Sequence, residues 1–451
     1  MRLEMKILKT FRFGGIHPGA EKLTAGRTIR VLSLPEKVIL PVVQHAGSPA
    51  AVIVKVGDRV KTGSLIARMS GAVSANIHAS VSGIVTKIEE TVDASGYKIN
   101  SVQITREGDD WDDSVSLTPV IKDFTPQEIL QKIKEAGIVG MGGASFPTHV
   151  KLEIPEGMKV DTLLINGVEC EPYLTADHQL MLEKGEEILQ GTQLLMKVLG
   201  VDRAIIGIEV NKPDAIHSLN NLSKKYVGIT VEALAMKYPQ GSEKQLIQAL
   251  TGRQVPPGAL PASVGVLVNN VATTYAVYEA VTKNKPLIER VVTVTGKSVK
   301  LPGNFLVRIG TPINELIEAV GGMPENTGKV VIGGPMMGRT VANLHIPVTK
   351  GMSGIVLIPD SEASRQTDLP CIRCAKCVEG CPMNLEPYLM MQLVEKGMWD
   401  LAEENHITDC MECGSCSFTC PSARPILDNI RIGKSKIRKI RSDQQKSNAK
   451  S

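Results

Sequence analysis

Two stretches decide how this chain is read: Cys371-Ile-Arg-Cys-Ala-Lys-Cys-Val-Glu-Gly-Cys-Pro382 and Cys410-Met-Glu-Cys-Gly-Ser-Cys-Ser-Phe-Thr-Cys-Pro421. Both follow the spacing Cys-x2-Cys-x2-Cys-x3-Cys-Pro, and together they hold eight of the nine cysteines. Three thiolates at i, i+3 and i+6 line a short wound loop and can meet three corners of an iron–sulfur cube. The fourth cysteine is set apart and followed by proline, so it opens a new segment. Disulfide frameworks suit small secreted domains, and zinc sites usually show two Cys-x2-Cys pairs or mixed Cys/His ligands. The pattern therefore points to iron–sulfur ligation and to electrons that move one at a time.

The spacing resembles that of two-cluster bacterial ferredoxins, which implies two [4Fe–4S] clusters with crossed ligation. Cluster one is then expected on Cys371, Cys374, Cys377 and Cys420, and cluster two on Cys381, Cys410, Cys413 and Cys416. Crossing the fourth ligand places the clusters close together, as a two-step wire. Residues 385–405, between the runs, have helical periodicity, so this insertion is expected to be helical.

Working outward, 451 residues allow about three domains. With 43% hydrophobic, 22% charged and 3% aromatic residues, the expectation is a globular chain with an aliphatic core. The net charge is +4, and no basic patch is interleaved with aromatics, so no nucleic-acid partner is expected. No apolar h-region follows Met1-Arg2-Leu3-Glu4. The most apolar stretch, Val264 to Tyr278, is broken by Asn269, Asn270, Thr273 and Thr274. A chain without leader or transmembrane segment is expected, its cysteines reduced in the cytoplasm. The tail, 431–451, carries eight Lys/Arg against one acid, Asp443. It is expected to be solvated and disordered; contact with an anionic membrane surface or an acidic partner is the sharper alternative.

The expected fold class is multidomain α/β and α+β. The N-terminal region, 1–115, has β-branched runs such as 51–56 and 83–88. Its phrases VKVGDRVKTGSLIARM (54–69) and HASVSGIVTKI (78–88) resemble the barrel-sandwich domains of biotinyl and lipoyl carriers. Those families carry their cofactor on a hairpin-tip Lys. Here Ser70 to Asn76 contains none, which implies a structural module without a swinging arm. Residues 116–287 alternate helix and strand patterns, as in an α/β layer. Thr125 and Pro126 mark a helix start, and strands are expected at 160–165, 204–209 and 264–268. Residues 288–350 resemble a β-grasp module, and 360–430 form the cluster domain.

Two further motifs carry chemistry. In Gly137-Ile-Val-Gly-Met-Gly-Gly-Ala-Ser-Phe-Pro-Thr148, Gly140, Gly142 and Gly143 let the backbone approach a ring or phosphate. The spacing is neither a Walker loop nor a Gly-x-Gly-x-x-Gly turn, so a tight structural turn is an equal reading. In Asn166-Gly-Val-Glu-Cys-Glu-Pro172, an amide and two carboxylates follow a buried strand, at the edge where α/β sheets bind ligands. Alone it reads also as a solvated loop. Cys170, flanked by Glu169 and Glu171, is expected to be a packing residue.

Taken together these segments are more specific. GMGGASFPTHVKL (140–152) resembles the flavin-binding segment of the NADH-oxidising flavoprotein subunit of respiratory complex I, and NGVECEP its following loop. Tyr238-Pro-Gln-Gly-Ser-Glu-Lys244 and Asn269-Asn-Val-Ala-Thr273 are similar to that family's Tyr/Gly/Glu and Asn-Asn-Val stretches. With Phe13-Gly-Gly-Ile-His-Pro18, Gln44-His-Ala-Gly47 and the paired cysteine runs, residues 11–425 resemble the RnfC family, the C subunits of the ion-translocating Rnf electron-transport complex.

That resemblance implies a ferredoxin:NAD oxidoreductase subunit, peripheral on the cytoplasmic face of the inner membrane. Its implied partners are other subunits of a membrane electron-transport complex, including a ferredoxin-like subunit and integral membrane subunits. It implies FMN near Gly140, Gly142, Gly143, Lys151, Asn166, Glu169, Asn269 and Asn270. NAD(H) is the implied substrate, with Phe146 and Glu171 towards the nicotinamide side and Glu243 nearby. One position departs: the complex I family has an acid where this chain has Val168. The alternative is a cluster-only relay and docking subunit without its own flavin or NADH site.

Overall fold

The computed structural model describes residues 8–120, 122–363 and 366–448. These residues form two units: 20–234 with 261–363, and a smaller one drawn from 8–19, 235–260 and the residues after 363.

In the larger unit, Thr125 and Glu128 form a capping box ahead of Pro126, so helix α1 (Pro126–Glu135) starts where the sequence predicts. Helix α2 (Thr148–Leu152) follows the glycine-rich stretch. The layer's sheet consists of β1 (Thr162–Asn166), β2 (Ala204–Glu209), β3 (Ile229–Leu234) and β4 (Val266–Asn270), all parallel, in the order β3-β2-β1-β4. Leu163, Leu164, Ile165, Ile206 and Ile208 are fully buried, as a sheet covered on both faces requires. Helix α5 (Val271–Lys283) packs against β1 and β4 and begins directly where β4 ends, and α3 (Ala176–Glu183) and α4 (Gly185–Leu199) pack against α5.

The β-rich N-terminal part contains one four-stranded and one three-stranded sheet around Val38, Leu40, Ile66, Ile77, Val102 and Ile104. The run 51–56 supplies only the strand Ala51–Val52. The segment from Ser70 to Asn76 is tied down rather than projecting: the Ser74 hydroxyl bonds His45, and Asn76 accepts from the Met69 amide and donates to Glu135 O.

Lys350 joins this tip to the glycine-rich stretch. Its buried Nζ donates to Asn76 O and Gly137 O, both at 2.7 Å, and its own carbonyl accepts from Arg290.

The region expected to resemble a β-grasp module does not stop at residue 350. Its six-stranded sheet has the central strand Gly354–Pro359, parallel to Glu289–Thr295 and antiparallel to Thr327–Ile332, and the edge strand Ile29–Val31. An edge strand of three residues leaves too short a pattern to be read locally, and the central strand lies beyond a Gly/Ser-rich turn that resembles a boundary.

The smaller unit differs more from expectation, because 8–19 and 235–260 assemble with the cysteine runs. Ile16 and Tyr238 pair backbone to backbone, and Gly15 N–H donates to Gly380 O. Gly14, at φ +62°, lies so close to Cys381 that a Cβ would stand 2.2 Å from its carbonyl oxygen. Tyr238 donates its hydroxyl to Cys413 O, and Gln245 its amide to Pro382 O.

The expected disordered tail is instead the second part of a helix, Ile426–Asn448, with residues 449–451 outside the described residues. Its charge count concealed an apolar stripe: Ile426, Ile430 and Ile437 are buried with Met390, Val394 and Ile407. Lys434 is buried too, donating to Cys410 O at 2.5 Å and pairing with Glu412 at 2.8 Å.

Burial pushes the Lys350 amine down to about 7. The folded chain therefore binds fewer protons than the unfolded one between that value and the ordinary lysine range, so this group's contribution to stability falls as pH drops through that interval. Lys350→Met is expected to lose about 1–3 kcal/mol at high pH, from two unpaired carbonyls, and less at neutral pH. Urea midpoints at both ends of the interval check the sign.

Candidate cofactor sites

The glycine-rich stretch closes on itself. Val139 and Pro147 bridge antiparallel, and Gly140 N–H donates to Phe146 O at 2.9 Å. The loop is pinned from below by Met141 N–H, which donates to the Thr273 hydroxyl at 2.8 Å. Gly142 lies on Asn270, where a Cβ would stand 3.3 Å from the Asn270 Cβ. Gly143 has φ +134° and open space where a side chain would point. Phe146, at the loop's end, is 37% exposed, and Lys151 is half-buried on α2.

The parallel register of β1 and β4 sets Asn166 beside Asn270 at the C-terminal edge of the sheet. Asn270 caps α5: its Oδ1 accepts from the amides of Ala272 and Thr273, and its Nδ2 donates to Asp177 Oδ2 at 2.6 Å. Asn269 is 4% exposed, and its Nδ2 has no hydrogen-bond partner.

The following loop is held by cations that the sequence did not reveal. Lys22 donates to the carbonyls of Glu169, Glu171 and Leu174, and buried Lys212 to that of Val168. The Glu169 carboxylate accepts from the amides of Asp177 and His178, in the first turn of α3. Glu171, expected towards the nicotinamide, accepts with its two oxygens from the amides of Met336 and Met337. Val168 is fully buried, which is why an aliphatic residue fits where relatives of complex I have an acid. Cys170 is half-buried. Glu243 opens the helix Glu243–Thr251 in the smaller unit.

Electrostatics sharpen the picture. Burial, and then the neighbouring Glu169, push the Asp177 carboxyl up to about 7. Burial, and then Lys22, push the Lys212 amine down to about 8, against the pull of Glu209 and Glu169. Asp177 is the residue the motif reading missed. Its only local signal is its place in the first turn of a helix.

These residues fit a bound FMN on two observations. The Asn269 amide is buried and unpartnered, which a ligand acceptor would satisfy. The loop at Gly142 and Gly143 presents backbone without side chains.

In the smaller unit the two cysteine runs repeat in backbone as well as in sequence. Left-handed residues stand at matching positions: Arg373 and Ala375 in one run, Glu412 and Gly414 in the other, then Asn384 and Ala423. Each non-glycine case is disfavoured by about 1 kcal/mol or more, and the turns wind both loops alike.

The thiols fall into groups. Cys381, from the first run, interacts electrostatically with Cys410, Cys413 and Cys416 of the second, and Cys377 interacts with Cys420. The larger group lines a small pocket walled by Leu385, Met390, Leu427 and Ile430. Burial pushes the Cys410 thiol up to about 11 and raises Cys413 and Cys416. Thiolates there require a positively charged partner. Among the described residues no three His, Cys, Asp or Glu side chains converge tightly enough for one ion; the ligands of a four-iron cube stand further apart.

The chain matches the Nuo51 FMN-binding domain family over residues 133–279, the RnfC barrel sandwich hybrid domain over 9–109, the SLBB domain over 291–340 and the 4Fe-4S dicluster domain over 363–421. It is 44% identical over 437 residues to the C subunit of the proton-translocating ferredoxin:NAD(+) oxidoreductase complex of Clostridium ljungdahlii, covering 96% of this chain and 95% of that one. It is 45% identical over 430 residues to the C subunit of the Na(+)-translocating ferredoxin:NAD(+) oxidoreductase complex of Acetobacterium woodii, covering 95% and 97%. To the C subunit of the ion-translocating oxidoreductase complex of Rhodobacter capsulatus it is 40% identical over 431 residues, covering 94% and 82%.

The thiol grouping makes a paired prediction. Cys381→Ser and Cys410→Ser should each remove one and the same cluster signal in electron paramagnetic resonance, halving iron from about eight to about four per chain. Cys420→Ser should match Cys371→Ser instead. Cys420→Ser matching Cys410→Ser would exclude crossed ligation.

Proposed function

The chain belongs to the RnfC family, the C subunits of ion-translocating ferredoxin:NAD(+) oxidoreductase complexes, and from that membership we propose that it carries electrons between NAD(H), FMN and two [4Fe–4S] clusters as a peripheral subunit of such a complex. The carrying observation is that one chain holds both a bare-backbone glycine loop, with a buried unpartnered amide at the end of the adjoining strand β4, and eight thiols in two repeated loops. NADH gives up two electrons together and iron–sulfur clusters take one at a time; FMN, when bound, supplies the conversion between the two.

The chain's own residues bind, orient and shield. Backbone amides at Gly142 and Gly143, with Lys151, would hold anionic and ring oxygens of the flavin, while the Gly140 amide closes the loop on Phe146 O. The amides of Asn166, Asn269 and Asn270 orient it, and the cap on α5 keeps Asn270 from turning. Phe146 offers an exposed ring at the mouth, suited to a nicotinamide face. Glu171 fixes the loop to the turn at Met336–Met337. Tyr238, Gln245 and Lys434 hold the backbone around the cluster-two cysteines.

No helix among the described residues is long and apolar enough to cross a membrane. We assign the ion path to integral membrane subunits, the onward electron transfer to a ferredoxin-like subunit, and the chain itself to the cytoplasmic face.

Anaerobically purified chain, reconstituted with FMN, is expected to show a flavin band over the iron–sulfur shoulder, to bleach on NADH titration and to reduce ferricyanide. Intact clusters with no retained flavin would leave only a cluster relay.

A further inference from the structure

Asp177 is tied to the flavin site from two directions. Its Oδ2 accepts from Asn270 Nδ2, while its own amide donates to the Glu169 carboxylate at 2.8 Å. Asn270 in turn lies under Gly142. Two carboxylates therefore stand side by side behind the cradle, and one of them grips a residue of its floor. Asp177 is half-buried as a residue.

Other charged groups near it come from separate elements. Glu169 lies in the loop after β1, Arg290 on the strand Glu289–Thr295, and Lys212 in the loop after β2. The two cations and the Asn270 amide favour the ionised form; burial and Glu169 oppose it, and the opposing pair wins.

We propose that Asp177 is a proton-holding positioning residue of the flavin site, acting through Asn270: it takes up one proton when negative charge enters the site and returns it when that charge leaves. This deepens the proposed function and rests on it. The balance is simple. NADH gives a hydride, two electrons and a proton, and leaves as NAD+. The added negative charge is matched by one proton that Asp177 takes from water. When the two electrons leave singly through the clusters, the hydride's proton and that on Asp177 both return to water. Ionised, Asp177 holds Asn270 Nδ2 strongly; protonated, it remains an acceptor but adds no charge behind the flavin.

The test is the pH dependence of the flavin midpoint potential, read by spectroelectrochemistry on the full FMN-loaded chain. Wild type should take up one extra proton per two electrons near neutral pH, a tenfold change per pH unit, or about 30 mV per unit steeper than Asp177→Asn. Glu169→Gln removes the neighbouring charge and should move the steep region to lower pH. FMN-loaded wild type and Asp177→Asn with equal slopes would overturn this inference alone. If Asp177→Asn does not fold, an unmoved steep region in Glu169→Gln overturns it. Wild-type chain that takes up no FMN overturns the proposed function and this inference with it.

Discussion

Asn270 meets three requirements with one side chain. Its oxygen satisfies two amides at the start of α5, its nitrogen is given to Asp177, and its body supports Gly142. A helix start needs acceptors for its free amides, a ligand loop needs a rigid floor, and a carboxylate behind the loop needs a donor. The strand register places this residue beside Asn166, so floor, cap and sheet edge are set together. Displacing the amide would disturb helix, loop and carboxylate at once.

Lysines, two of them buried and one half-buried, repeat this economy around the site. Lys22, Lys212 and Lys350 each aim Nζ at main-chain carbonyls of loops that have no regular ladder of their own. A lysine reaches several acceptors from a distance, which suits a loop of irregular shape. Burial disfavours the charged amine, and for Lys212 and Lys350 it lowers proton affinity towards neutral pH.

The smaller unit follows another constraint. Its cysteine loops contain several left-handed residues without glycine, and its apolar stripe is short. Chain segments from far upstream complete it, through Gly14 against Cys381 and Tyr238 against Cys413. The terminal helix contributes cations as well as isoleucines, since Lys434 and Arg431 meet Glu412 inside the second cysteine run.

The sequence by itself determined the local devices: the cysteine spacing, the capping box at Thr125, the β-branched strands of the α/β layer, and glycines where backbone must be bare. Each is a short-range pattern with a short-range physical cause. Tertiary structure alone decided which distant pieces meet. Residues 235–260 sit with the cysteine runs, Ile29–Val31 edges a sheet otherwise built from residues 289–359, and the cationic segment after Ile426 is a packed helix. It also decided that Glu171 anchors a turn and that Asp177, unmarked in any motif, stands behind the cradle. Proton affinity, ion pairing and loop tethering depend on what a fold packs around a group, and that cannot be read from its neighbours in the chain.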